Sequence, residues 1–134
     1  MRRITLALGL AAALAGCGSD PIAPQVGEEF ILSIGQSATI AGRGITITFQ
    51  DVTEDSRCPS DVVCIQAGNA TVAVTVSSDL TKADLEIKTS GPSSVTIADD
   101  LELTLQELDP YPHTAHPQAK DDYRARLIVL ERLI

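Results

Sequence analysis

Two histidines stand three apart in Pro112-His113-Thr114-Ala115-His116-Pro117. Imidazoles at this spacing, with Asp109, Asp121 and Asp122 close in the chain, are side chains that zinc or copper accepts. The pair lacks a definite third ligand, so a solvated loop is the simpler reading and a metal site at His113 and His116 the alternative. A second candidate is the acidic stretch Asp51, Glu54, Asp55 and Asp61. Carboxylate oxygens suit Ca2+, but the spacing matches no EF-hand loop. Arg57 stands among these acids and is expected to pair with one of them, which makes the stretch a structural turn. Asp55, Arg57, Asp61 and Gln66 are its candidate binding residues.

Catalysis finds little to work with. Serines are plentiful, but no G-x-S-x-G elbow occurs, and both histidines share one loop. The carboxylate pairs Asp99-Asp100 and Asp121-Asp122 fall at apparent turns, where adjacent acids face water. A sugar cleft is hard to build from four aromatic residues and no tryptophan. No glycine-rich loop follows a strand and opens a helix, so nucleotide binding has no support. The expectation is a protein that is not an enzyme and needs no cofactor.

Composition narrows the partners. The chain has 134 residues, a formal net charge of −8 and an isoelectric point near 4.5, which excludes the basic patches that bind nucleic acid. Its 44% hydrophobic content is too high for wholesale disorder. Yet no apolar run reaches the roughly 20 residues that cross a bilayer.

The amino terminus reads as an address. Met1-Arg2-Arg3 is a short basic start, and the apolar run from Ile4 to Leu14 suits a signal-peptide core. Leu14-Ala15-Gly16-Cys17 follows, and with it the chain resembles bacterial lipoprotein precursors, whose lipobox is leucine, two small residues and cysteine. The resemblance implies cleavage before Cys17, diacylglycerol on its sulfur and, in many bacteria, an acyl chain such as palmitate on the new amino group. Glycine directly after the cysteine resembles the class sorted to the outer membrane, on its periplasmic side, where the host is Gram-negative. Removing residues 1–16 loses Arg2 and Arg3, leaving 8 basic residues against 18 acids and a mature net charge of −10. An anionic lipid surface repels such a domain, so the lipid is expected to hold it at the membrane.

Residues 17–27 then form the lipidated cysteine and a flexible tether, with Pro21 and Pro24 and no apolar periodicity. With Cys17 assigned to lipid, Cys58 and Cys64 remain. An exported domain meets an oxidising compartment, where a disulfide is the default, and the C-x5-C spacing differs from the C-x-x-C of redox sites. Metal ligation and free thiols are the other options. Ser56-Arg57-Cys58-Pro59, Val62, Cys64-Ile65, Ala67-Gly68 make an S-R-C-P-x-x-V-x-C-I-x-A-G motif. It resembles a motif of small uncharacterised bacterial exported proteins and lipoproteins, which also show a Pro-Tyr-Pro turn and a late Asp-Tyr strand. Pro110-Tyr111-Pro112 and Asp122-Tyr123 match these here. Many of those proteins carry tryptophan where this chain has Gln66, so a binding surface using that ring is altered here. The resemblance implies a class of exported protein and no activity.

The elements that must position these residues are strands. Apolar residues alternate with polar ones at Phe30-Leu32-Ile34, Ala38-Ile40, Ile45-Ile47-Phe49, Val72-Val74-Val76, Leu85-Ile87, Val95-Ile97, Leu101-Leu103-Leu105 and Tyr123-Ala125-Leu127-Val129. Ile128 and Leu130 make the last segment apolar on both faces, as in a central strand. Seven to eight short strands over residues 28–134 predict an all-β domain, an antiparallel β-sandwich with immunoglobulin-like topology and a small barrel as options. A lipid-anchored envelope protein follows from these readings, serving as a non-catalytic binding or interaction module for an envelope protein partner. The alternatives are a periplasmic metal-binding protein using His113 and His116, and a hydrolase without a visible signature. The candidate binding surfaces are the two longest irregular segments, residues 55–68 and 110–122.

Overall fold

The strand pattern is realised in a computed structural model that describes residues 22–133. The signal segment 1–16, Cys17 and the first tether residues lie outside the described residues. Eight strands form: β1 (Glu29–Ser33), β2 (Ser37–Ile40), β3 (Ile45–Asp55), β4 (Ala70–Ser77), β5 (Lys82–Lys88), β6 (Ser94–Ala98), β7 (Leu101–Asp109) and β8 (Arg124–Glu131). They make two antiparallel four-stranded sheets, ordered β2-β3-β4-β5 and β1-β8-β7-β6. One 3-10 turn, Lys120–Asp122, precedes β8.

Each alternating segment turns its apolar set inward. Leu32, Ile40, Ile47, Phe49, Val72, Val74, Ile87, Leu103, Leu105, Leu127 and Val129 are among the buried side chains of one shared core. That core is aliphatic apart from Phe30, Phe49 and Tyr123. β8 lies between β1 and β7, the central place its two apolar faces call for.

β3 departs from simple alternation at two bulges, between Phe49 and Asp51 and between Val52 and Glu54. Each bulge adds one residue against β4. The buried series therefore steps from Phe49 to Val52, and the strand extends to Asp55, beyond Phe49, where the simple alternation stops.

The tether region is partly docked. Thr39 N donates to Ile22 O at 2.9 Å and Ala41 N to Pro24 O at 2.9 Å, so residues 22–24 run parallel to β2 along its outer edge. Pro24 is buried, Ile22 and Val26 pack against the core, and Gly27 N reaches Val129 O at 2.7 Å. Residues 22–27 of the expected tether are thus held against the sandwich.

The two ends of the sandwich differ. At one end the connections are short: the Gly42-Arg43-Gly44 turn, residues 78–81 and Asp99-Asp100. At the other lie the connections 56–69 and 110–123. These hold most of the candidate site residues.

Candidate functional site

Beyond the ends of β3 and β4 the two strands continue as a narrow neck. Ser56 N donates to Asn69 O at 2.8 Å and Cys58 N to Ala67 O at 3.0 Å, while Ser56 Oγ donates to Asn69 O and accepts from Asn69 N. Gly68 fits here for two reasons. Its φ is +63°, and a Cβ at this position would fall 1.8 Å from the Ser56 carbonyl oxygen. Above the neck, the Cys58–Cys64 disulfide closes the loop.

Arg57 points from this neck into the molecule, its side chain only 4% exposed. Nε donates to Asp55 Oδ1 at 2.9 Å and Nη2 to Asp55 Oδ2 at 2.8 Å, a bidentate pair. Nη1 donates to Leu108 O at 2.6 Å, and Nη2 also donates to Pro110 O at 2.9 Å. The Tyr111 ring covers the guanidinium at 4.7 Å. One side chain thus ties the cysteine loop to the Pro110-Tyr111-Pro112 turn, and Ser60 N adds a bond to Pro112 O at 2.9 Å.

Tyr123, directly before β8, completes the clasp. Its hydroxyl carries one proton and lies 2.9 Å from Asp55 Oδ2 and 2.8 Å from Gln118 Oε1. The ionised carboxylate is the stronger acceptor. Gln118 Nε2 donates in turn to Pro110 O at 2.5 Å.

Electrostatics follow the geometry. Burial opposes ionisation of Asp55, but the Arg57 guanidinium and the Tyr123 hydroxyl outweigh it and hold the carboxyl below its ordinary range. Burial likewise opposes the charge on Arg57, and Asp55 overcomes it and raises that pKa. The Tyr123 hydroxyl is pushed up to about 12 by burial and by its bond to Asp55.

The second contact between the two loops runs through Asp61. Thr114 donates to it twice, from its amide at 3.1 Å and from its hydroxyl. The hydroxyl bond is the main cause that holds the Asp61 carboxyl below its ordinary range. His113 Nε2 stands 3.9 Å from Asp61 Oδ2, and the His113 and His116 rings are 5.2 Å apart across a turn closed by His116 N to His113 O. His113 Nδ1 accepts from Ala115 N at 3.1 Å. Among the described residues no group of three or more His, Cys, Asp or Glu side chains is arranged to hold a metal ion.

Residues 1–17 match the family model of the prokaryotic membrane lipoprotein lipid attachment site, whose last matched residue is Cys17. The match supports a lipid-anchored bacterial lipoprotein. No curated protein and no solved structure matches the chain. Among the described residues, no helix of the lipoprotein is long and apolar enough to cross a membrane.

The candidate residues of the lipoprotein separate into two groups. Asp55 and Arg57 face inward, and their hydrogen-bonding groups serve the clasp. Asp61 is tied to Thr114, whereas Gln66 lies exposed on the loop. Around Gln66 the loop presents apolar side chains: Val63 and Ile65 are fully exposed, at 102% and 105%, and Val62 and Tyr111 are about half exposed. Two crevices flank Arg57 and Tyr111: a small one of about 110 Å3 with Leu105 and Thr89, and a wider one of about 320 Å3 with Cys58, Gly68 and Ser90.

Reading the sequence for chemistry singles out charged and ligating residues; Tyr111, Tyr123 and Gly68 enter it only as parts of the resembling motifs, and Gln118 and Thr114 have no role in it. The available signal was the side-by-side placement of Asp55-x-Arg57 and a cysteine, which already offered an ion pair. Its remote partners, 51 and 53 residues on, leave no local trace.

Proposed function

We propose that this lipoprotein is a non-catalytic interaction module of the bacterial envelope, and that the apolar tip of the Cys58–Cys64 loop is its contact surface. The observation that carries this reading is a contrast within one loop. The base is fixed by a disulfide, a buried arginine and a glycine that admits no side chain, while the top leaves Val63 and Ile65 without packing partners and Val62 half exposed. A rigid base under exposed apolar side chains lowers the ordering cost of binding, and clustered exposed apolar residues mark contact sites. Glycine after Cys17 supports placement at the outer membrane, facing the periplasm, in a Gram-negative host.

The test uses a photo-crosslinking residue in place of Val63 or Ile65 in the lipidated protein within its own envelope. Leu80, equally exposed at the opposite end, is the control. Position-specific adducts, to lipid or to an envelope protein, are expected from positions 63 and 65 and not from position 80. Equal diffuse labelling at all three positions overturns the reading.

A further inference from the structure

We infer that the occupant of the loop tip is the bilayer that carries the lipoprotein's own anchor: Val62, Val63 and Ile65 enter the lipid interface and Tyr111 rests at headgroup level. The inference rests on the interaction reading above and names its partner.

The first argument is reach. Five chain steps separate Cys17 from Ile22, the first described residue, which is docked on the fold. Fully extended, they span at most about 17 Å. From the level of Ile22, opposite Ala38 and Ile47, β3 alone continues through eight further residues to Asp55, a distance of up to about 26 Å. The anchor therefore cannot hold the sandwich with its loop end down and clear of the membrane. The domain leans against the bilayer.

The second argument is direction. Residues 22–24 run parallel to β2, and β2 is antiparallel to β3, which climbs toward the disulfide loop. The docked segment thus travels away from the loop end, and its upstream end at Ile22 faces that end. Setting the opposite end on the membrane requires the chain to double back within five residues.

Charge is the third argument. The opposite end exposes Asp79 and Asp99 and the Arg43–Asp100 pair, which lose hydration on entering an interface. At the loop end the charged residues Asp61, Lys120, Asp121 and Asp122 lie outside the tip itself, and the stretch from Val62 to Asn69 carries no charge. Tyr111 suits the boundary, with an apolar ring half exposed and one polar atom. Because the anchor keeps the tip close to the surface, even weak intrinsic affinity suffices to hold it there. A mature charge of −10 selects uncharged or zwitterionic lipid over anionic lipid.

The experiment exploits a chain without tryptophan. Single tryptophans are placed by Val63→Trp, Ile65→Trp and Leu80→Trp in the mature lipidated protein, reconstituted in vesicles of phosphatidylethanolamine and phosphatidylcholine. The expected result is blue-shifted emission and severalfold lower iodide quenching for the first two, with Leu80→Trp still water-exposed. Replacing part of the lipid with phosphatidylglycerol at low salt is expected to weaken the shift. Emission and quenching alike at all three positions overturn bilayer contact. If water exposure at position 63 coexists with a crosslink from that position to one envelope protein, bilayer contact falls and the interaction reading stands. If no position-specific crosslink forms either, both fall.

Discussion

The two ends of the sandwich use charge in opposite ways. At the hairpin end, Arg43 and Asp100 pair at 2.5 Å on the surface, with 31% and 49% of their side chains exposed, and join one turn to another. At the loop end, Arg57 and Asp55 form a pair exposed by only 4% and 11%, and the arginine also holds two carbonyl oxygens from a segment more than 50 residues away. A short turn takes its conformation from its own residues. A long connection does not, and here its shape is set by one buried cation that gathers the carbonyls of a neighbouring loop.

Substitutions that exploit this difference form a graded series. Arg57→Ala leaves the Asp55 carboxylate buried without its partner and frees two carbonyls; a loss of about 3–5 kcal/mol is expected in urea unfolding. A loss below about 1 kcal/mol would mean that the clasp is no stronger than a surface pair. Cys58→Ser with Cys64→Ser opens a short closed loop, for which the chain-entropy relation gives about 2 kcal/mol. The same denaturation curve checks it.

Tyr123→Phe removes a hydroxyl bonded to a carboxylate, a loss of about 1.5 kcal/mol. It also tests a pH dependence with two limbs. Because the Tyr123 pKa is raised from 10 to about 12 by folding, its contribution is complete below pH 10 and disappears as pH climbs to 12. Asp55 works in the reverse sense. Its pKa is lowered from 3.8, so its contribution is present above that value and is lost as pH falls through the lower folded value. Melting temperature against pH should decline at both extremes, and Tyr123→Phe should flatten the alkaline side.

Arg43→Ala, the counterpart at the hairpin end, is expected to cost less than about 1 kcal/mol, with the effect shrinking further in high salt. Smallest of all, Val63→Ser with Ile65→Ser should shift stability by no more than about 0.5 kcal/mol, because neither side chain is packed. A larger loss would show that the tip supports the fold instead of offering itself to a partner.

Much of the scaffold was legible because a strand with one buried face writes its period into the sequence. Ile45-Ile47-Phe49 and Leu101-Leu103-Leu105 announced β3 and β7, and the doubled apolarity at Ile128 and Leu130 announced a central β8. The bulges that carry β3 past Val52 to Asp55 were hidden, since an extra residue in a ladder breaks the very alternation that reveals it. Within the site, the cysteine pair was legible by type and compartment, and the Asp55–Arg57 pair by proximity. The meeting of the 56–69 and 110–123 connections was not. It depends on arginine donors reaching backbone carbonyls, and every residue supplies a carbonyl, so no residue type marks the acceptor. Asp61 looked like a member of an acidic cluster, and the structure ties it instead to the threonine between the two histidines.

The edge segment at Ile22–Pro24 also decides how the molecule feels a pull. Its two carbonyls take amide protons from Thr39 and Ala41 side by side along β2. A load on the lipid directed toward the loop end runs along the strand and strains both bonds together, whereas a load outward from the sheet peels Ile22 first and Pro24 after it. The grip between anchor and fold is therefore directional, firm in shear and weak in peeling.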